Sequence, residues 1–261
     1  SGVQKRDVFH GWIYGSLDAV ITPARYLKTL LVQTTSVSPE KVHVIPYGID
    51  CGHYDPERYN RNLVRMKYDI PTDAFVYGIP ARFDVAKDQL TGIGAIDLVD
   101  VPQSMLLLVG KSERTDDAYA LRVDAAIDGS ARSTSIKVLP FTNDFAEVLC
   151  CLDVYMLTSR SETFSLALLM AMASGTCVIA TNEGGNVEVI RDGENGLLVP
   201  GGDPDSLAEA MNQLGHDAGL RSRLATQALQ DAQLHYNSIT QFAEFIDVCD
   251  RVLAARGSSL H

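Results

Sequence analysis

Short β-branched runs alternate with amphipathic helical patterns along most of this chain, and that alternation restricts its fold more than any other feature. Strand-like runs are Ala19–Thr22, Val42–Ile45, Phe75–Pro80, Met105–Val109, Ser135–Leu139, Val154–Leu157, Cys177–Thr181 and Leu197–Val199. Between them, helical spacing appears near Tyr26–Thr34, Gln89–Val99, Asp117–Ala126, Phe145–Cys150 and Ser165–Ala173. Strand then helix, repeated, predicts an α/β fold: a doubly wound parallel sheet with helices on both faces. From Pro204 onward only helical patterns remain, over Asp205–Leu214, about Ala218–His235 and Thr240–Ala254. The stretch PEKVHVIPYGIDCGHYDPERYN reads as a strand leading into a turn-rich connector to the main sheet.

The chain has 261 residues, which places it between one large domain and two small ones, with enough length for a substantial core. Its formal charge, 22 − 33 = −11, excludes general nucleic-acid affinity, which needs a basic face to replace phosphate counterions. A local basic pocket for a small anion remains compatible with that charge. No apolar run is long enough to predict a transmembrane segment. The cysteines (Cys51, Cys150, Cys151, Cys177, Cys249) contain no C-x-x-C pair, and they read as buried thiols in a reducing compartment.

In a doubly wound sheet, ligands bind beyond the carboxyl ends of the strands. The residues to weigh there are Arg82 to Lys87, Gly110-Lys111, Phe141-Thr142, Ser159 to Ser165 and Glu183 to Glu188. In ARFDVAKD, Arg82 and Lys87 lie five residues apart, a guanidinium fork and a flexible ammonium that suit a diphosphate. The competing reading is a solvated surface pair. In SRSETFSLALLMAMASG, Ser161, Glu162 and Thr163 offer capping oxygens where a helix starts, and the free N–H groups of its first turn make an anion site. The competing reading is a capped helix packing Leu166, Leu169, Met170 and Ala173 into the core. Gly184-Gly185, after a strand, would let backbone approach a ligand closely, while Glu188 accepts from a hydroxyl or simply caps. DGENG reads as a structural turn. GIGA, Gly92 to Ala95, is not a dinucleotide fingerprint, because its third glycine is missing and it lies inside a helix. His10 and His53 match no motif.

The order VIPYGID, ARFDVAK, LLLVG, SRSETFSLALL, AMASGTCVIAT, GGNVE, DGENGLLV, DPDSLAEAMNQL resembles the C-terminal half of retaining GT-B glycosyltransferases of group 1 (family four), from about Asp18 to Leu214. The resemblance implies a Rossmann-like half of a GT-B architecture that carries the site for a nucleoside-diphosphate sugar. Arg82 and Lys87 would hold the diphosphate. Glu162 and the N–H groups from Phe164 through Ser165 to Leu166 would face the sugar and phosphate, and Gly184 and Gly185 would line the site. The segment from Lys137 through Leu139 to Phe141 would pair with the base through its backbone. Catalytic roles would fall to Glu162, Arg82 and Lys87, with a UDP-, GDP- or ADP-sugar as donor, no further cofactor and no metal.

The family has a second glutamate eight residues after the first, bonded to the ribose, and here that place is Met170. Ser165 stands where glycine is usual, and Cys177 where proline is usual. The implied organisation is a residual segment and linker over 1–50, the nucleotide-sugar domain over 51–235, and a helix over 236–261 that packs on an N-terminal acceptor-binding domain. That domain lies outside this chain, in cis or as a separate chain. The implied location is cytoplasmic, with any membrane contact made through the absent domain. The alternative reading is a non-catalytic GT-B-like scaffold or regulatory subunit, which Met170 favours.

Overall fold

The computed structural model describes residues 7–112 and 117–258. The chain opens with α1 (Val8–Ser16), β1 (Val20–Thr22), α2 (Arg25–Thr34), β2 (Val42–Val44) and α3 (Arg61–Lys67). The strand–helix alternation follows with β3 (Phe75–Pro80), α4 (Gln89–Ile96), β4 (Ser104–Lys111), α5 (Ala118–Gly129) and β5 (Ile136–Pro140). It continues through α6 (Phe145–Cys151), β6 (Val154–Leu157), α7 (Leu166–Ala173), β7 (Cys177–Thr181), α8 (Asn186–Val189) and β8 (Leu197–Val199). Three helices end it: α9 (Pro204–His216), α10 (Ala218–His235) and α11 (Ser238–Ser258).

The six later strands form one sheet in the order β5-β4-β3-β6-β7-β8, and every pairing is parallel. The chain runs outward from β3 to β5, returns to pair β6 against β3, and runs outward again to β8. Strand order therefore reverses between β3 and β6, where Tyr77 pairs with Val154 and Gly78 with Tyr155. Parallel central strands are covered on both faces, so they read as continuous apolar runs. β7 shows this directly, since all of Cys177–Thr181 is buried. The core joins Tyr77, Ile79, Leu106 and Met156 of the sheet to Ile96, Val123 and Met211 of the helices. The buried Tyr77 hydroxyl donates to the Met211 carbonyl at 2.7 Å. GIGA lies inside α4, and a Cβ at Gly92 would come within 2.3 Å of Ile79 Cδ1, so this glycine serves helix–sheet packing.

Three helices depart from the sequence pattern: α1, α3 and the single turn α8. In α3 the amphipathic code is inverted. Leu63 and Met66 are exposed, while Arg65 is 2% exposed. The Arg65 guanidinium donates to the carbonyls of Cys151, Thr72 and Ala74 and to Asp153 Oδ2, at 2.8–3.1 Å. A charged residue at the inward position hides the helix from any search for apolar spacing.

The chain divides into two units. One is Cys51–Gln233, which carries the six-stranded sheet. The other combines residues up to Asp50 with those from Leu234 onward. Within this second unit, β1 and β2 form a two-stranded parallel sheet, and Ile49 bridges to Asn237. Ile49 N donates to Tyr236 O at 2.8 Å, and Ser238 N donates to Ile49 O at 2.9 Å. Arg256 pairs with Asp18 at 2.6 Å. Several large apolar side chains of the unit face outward, Trp12 at 72% and Ile239 at 80% exposure among them. Among the described residues, no helix is long and apolar enough to cross a membrane. The cysteines are free thiols. Burial is the main cause that pushes those of Cys151 and Cys177 up to about 12.

Candidate functional site

The reversal of strand order sets the loop after β3 beside the loop after β6, and these two loops carry the cations and the carboxylate singled out above. Lys87 Nζ donates to Glu162 Oε2 at 2.6 Å, with 26% and 11% of the two side chains exposed. Backbone and side-chain bonds stitch the loops around this pair. Thr158 Oγ1 donates to Lys87 O at 2.7 Å, Arg160 N to Ala86 O at 2.9 Å, and Arg160 Nε to Asp88 Oδ2 at 2.6 Å. Asp84 shapes the turn from within, accepting Lys87 N on its carbonyl at 2.9 Å and Ala86 N on its carboxylate at 2.8 Å. Beneath lies Tyr155, whose phenol is pushed above its ordinary range by burial and then by the charge of Glu162.

Arg82 heads the same loop and is exposed. Its carbonyl accepts from Gln89 Nε2 at 2.8 Å, while its guanidinium makes no ion pair or hydrogen bond among the described residues. Lys137 lies elsewhere. Its Nζ donates to Asp69 O at 3.1 Å, on the segment leading into β3, so its ammonium is drawn to the amino side of the sheet. Leu139 pairs with Val109 along the edge strand β5.

A third loop, after β7, packs on the Glu162 segment. Gly184 has φ +53°, and a Cβ there would lie 1.7 Å from Glu162 O. Gly185 N donates to Glu162 O at 3.2 Å, and a Cβ at Gly185 would lie 2.3 Å from Thr163 O. The space left by both glycines is thus filled by the chain's own backbone, a use that spacing alone does not reveal. Asn186 Nδ2 donates to Thr181 O at 3.1 Å, and Thr181 Oγ1 to Ser159 O at 2.6 Å, which ties the third loop to the second.

α7 begins at its cap Ser165, whose side chain accepts from Leu168 N at 3.3 Å. The amides of Leu166 and Ala167 open the helix, where the backbone has no partner one turn back. Phe164 is buried beside them. The apolar stripe of the competing reading splits. Leu169 and Ala173 are buried, but Leu166 is 40% exposed and Met170 only half-buried. The buried arc instead runs through Leu168, Leu169, Ala171, Met172 and Ala173, which leaves Leu166 and Met170, one turn apart, toward the open side. Arg160 and Asn186 lie within the ranges weighed from the sequence but were given no role there, and Asp88 and Thr158 lie outside those ranges. Asp88 closes the quoted ARFDVAKD, and only its backbone angle reveals that it is special. The Asp203-Pro204-Asp205 triplet, the chain's one Asp-x-Asp, is a helix start, with Asp203 accepting the N–H groups of Asp205 and Ser206. A separate cavity of about 500 Å³, lined by Tyr54, Arg61, Cys150 and Arg221 among others, contains none of the predicted site residues.

A family model described as glycosyl transferases group 1 matches residues 75–217. A D-inositol 3-phosphate glycosyltransferase of Stackebrandtia nassauensis is 32% identical over 223 residues, covering 82% of this chain and 50% of that protein. HepE of Anabaena, solved in complex with UDP, superposes with a TM-score of 0.85 at 24% identity, over 90% of this chain and 64% of that one. The C-terminal domain of the group 1 family glycosyl transferase LpcC from Francisella tularensis gives a TM-score of 0.65 at 25% identity, over 73% of this chain and 99% of that one. The chain spans about half the length of the curated relatives it matches.

Proposed function

Because this chain belongs to the group 1 glycosyl transferases, we propose that it is the donor-binding half of an enzyme that moves a sugar from a nucleoside-diphosphate sugar, with retention. The Lys87–Glu162 contact at the strand-order reversal carries this reading. An ammonium has three N–H donors, and Glu162 engages one, which leaves two for phosphate oxygens. Glu162 Oε1 has no partner among the described residues and can accept from sugar hydroxyls. As the bond from the sugar to the diphosphate breaks, negative charge gathers on the departing oxygens. Lys87, Arg82 and the amino end of α7 would stabilise that charge without reorganising.

A UDP-sugar is the donor to test first, because HepE holds UDP. The base would sit along β5 near Leu139, contacted by backbone. Free, largely buried thiols support a reducing, cytoplasmic setting. Residues 1–50 and the helix after 236 belong, in this reading, with an acceptor-binding half, in cis or as a separate chain. The two-stranded parallel sheet supports this, since parallel strands are normally covered on both faces. The outward Trp12 and Ile239 support it as well.

Calorimetric titration with UDP, GDP and ADP tests the proposal. Arg82→Ala is expected to weaken binding of the preferred diphosphate by about 1–3 kcal/mol and to leave the free nucleoside unaffected. Equal losses for both ligands would mean that the substitution harms the fold. Binding of no diphosphate by the wild type would favour the scaffold reading, to which Met170 points. Met170→Glu supplies the carboxylate that the family places at this position. Since Met170 is half-buried, the charge stays within reach of water. The variant is expected to bind UDP about tenfold tighter, roughly 1.4 kcal/mol, with a smaller gain for 2′-deoxy-UDP. Equal gains for both nucleotides would place the new carboxylate away from the ribose.

A further inference from the structure

Asp88 stands where its conformation is costly and its usual service is not performed. It has φ +50°, the left-handed region that favours glycine, and it is 3% exposed. It occupies the N-cap position of α4, where an aspartate ordinarily accepts an N–H of the first turn, yet its side chain makes no such bond. Oδ2 accepts instead from Arg160 Nε at 2.6 Å, across to the neighbouring loop, and from Thr91 Oγ1 at 2.6 Å. The carboxylate therefore joins the neighbouring loop to the first turn of α4.

Three consecutive residues of the first loop are tied to the second. Ala86 O accepts Arg160 N, Lys87 O accepts Thr158 Oγ1, and Asp88 accepts the Arg160 side chain. Lys87 is thus held on both sides, and Glu162 follows Arg160 by two residues. Behind the guanidinium, the loop after β8 closes in, since a Cβ at Gly202 would lie 3.0 Å from Arg160 Cζ. We infer that the Asp88–Arg160 ion pair is a positioning brace that sets Lys87 against Glu162 for a nucleoside diphosphate. The inference rests on the donor-site reading above.

The test uses the full chain. Arg160→Ala would strand a buried carboxylate and endanger the fold, so the informative variant is Asp88→Gly, which suits the positive φ and releases the exposed Arg160 together with the buried Thr91 hydroxyl. Relief of the left-handed φ offsets the loss at Thr91, so its melting temperature should stay near that of the wild type. In the ligand-free variant, the Arg160 amide should exchange with solvent about tenfold faster, because the loop joint has loosened. UDP affinity should fall about tenfold while uridine binding is unchanged. In a Lys87→Met background, the same substitution should cost no more than about twofold, because the brace acts through Lys87. Unchanged amide exchange, unchanged UDP affinity or a full tenfold loss without Lys87 would each overturn the brace. Failure of the wild type to bind UDP, GDP or ADP would overturn the donor reading itself, and the diphosphate role with it.

Discussion

Gly184→Ala is expected to unfold the carboxyl edge of the sheet and to abolish the proposed nucleotide binding. The added Cβ would lie 1.7 Å from Glu162 O, a separation no pair of non-bonded atoms tolerates, and the contact is backbone rather than a yielding side-chain tip. The left-handed φ of +53° adds about 1–2 kcal/mol for any L side chain. The loop after β7 would have to withdraw from Glu162, taking the Gly185 N–H bond with it and releasing the carboxylate from Lys87. Gly193→Ala provides the control. It has φ +73° and open space around its Cβ, so it should show the conformational cost alone and retain UDP binding. Thermal melting and UDP titration of both variants decide the matter. Equal melting temperatures for the two would show that the loop yields without cost.

Arg65→Met is expected to lower stability by about 3–5 kcal/mol, the range for breaking a buried charged network from one side. Methionine fills much of the same volume but cannot donate to Cys151 O, Thr72 O, Ala74 O or Asp153. Burial, and then the neighbouring Arg61, hold the Arg65 guanidinium below its ordinary pKa, yet it keeps its proton because its partners are all acceptors. Arg65→Lys should fall between, since three donors replace five and the planar fork is lost. Urea unfolding measures the difference. UDP affinity of the folded protein should stay near that of the wild type, because this network lies at the amino side of the sheet. A cost below about 1 kcal/mol would mean that water replaces the guanidinium there.

The sheet was legible because buried parallel strands declare themselves as short apolar runs, separated by stretches long enough for a helix. The candidate site was legible where chemistry and position coincided: Arg82 and Lys87 in the loop after β3, Glu162 in the loop after β6. α3 was not, because a buried arginine held by carbonyls looks like surface in any periodic pattern. Nor was the purpose of Gly184 and Gly185, since a glycine's letter shows that something approaches without showing what. Asp88 was hidden for a related reason. An aspartate before a helix reads as a cap, and only its dihedral angle and its turn toward Arg160 reveal the other use. Leu166 counts against the competing reading of a helix packed into the core, since its apolar side chain stands at an open helix start.

The unit formed from both ends of the chain sets an order of events during synthesis. The six-stranded unit ends at Gln233, so none of its own pairings has to wait for α11 to be made. Ile49 has no such freedom: Tyr236 and Ser238, the partners for its amide and its carbonyl, are the last of these groups to emerge. The segment up to Asp50 is therefore tied down only after a six-stranded unit that follows it in the chain has been made.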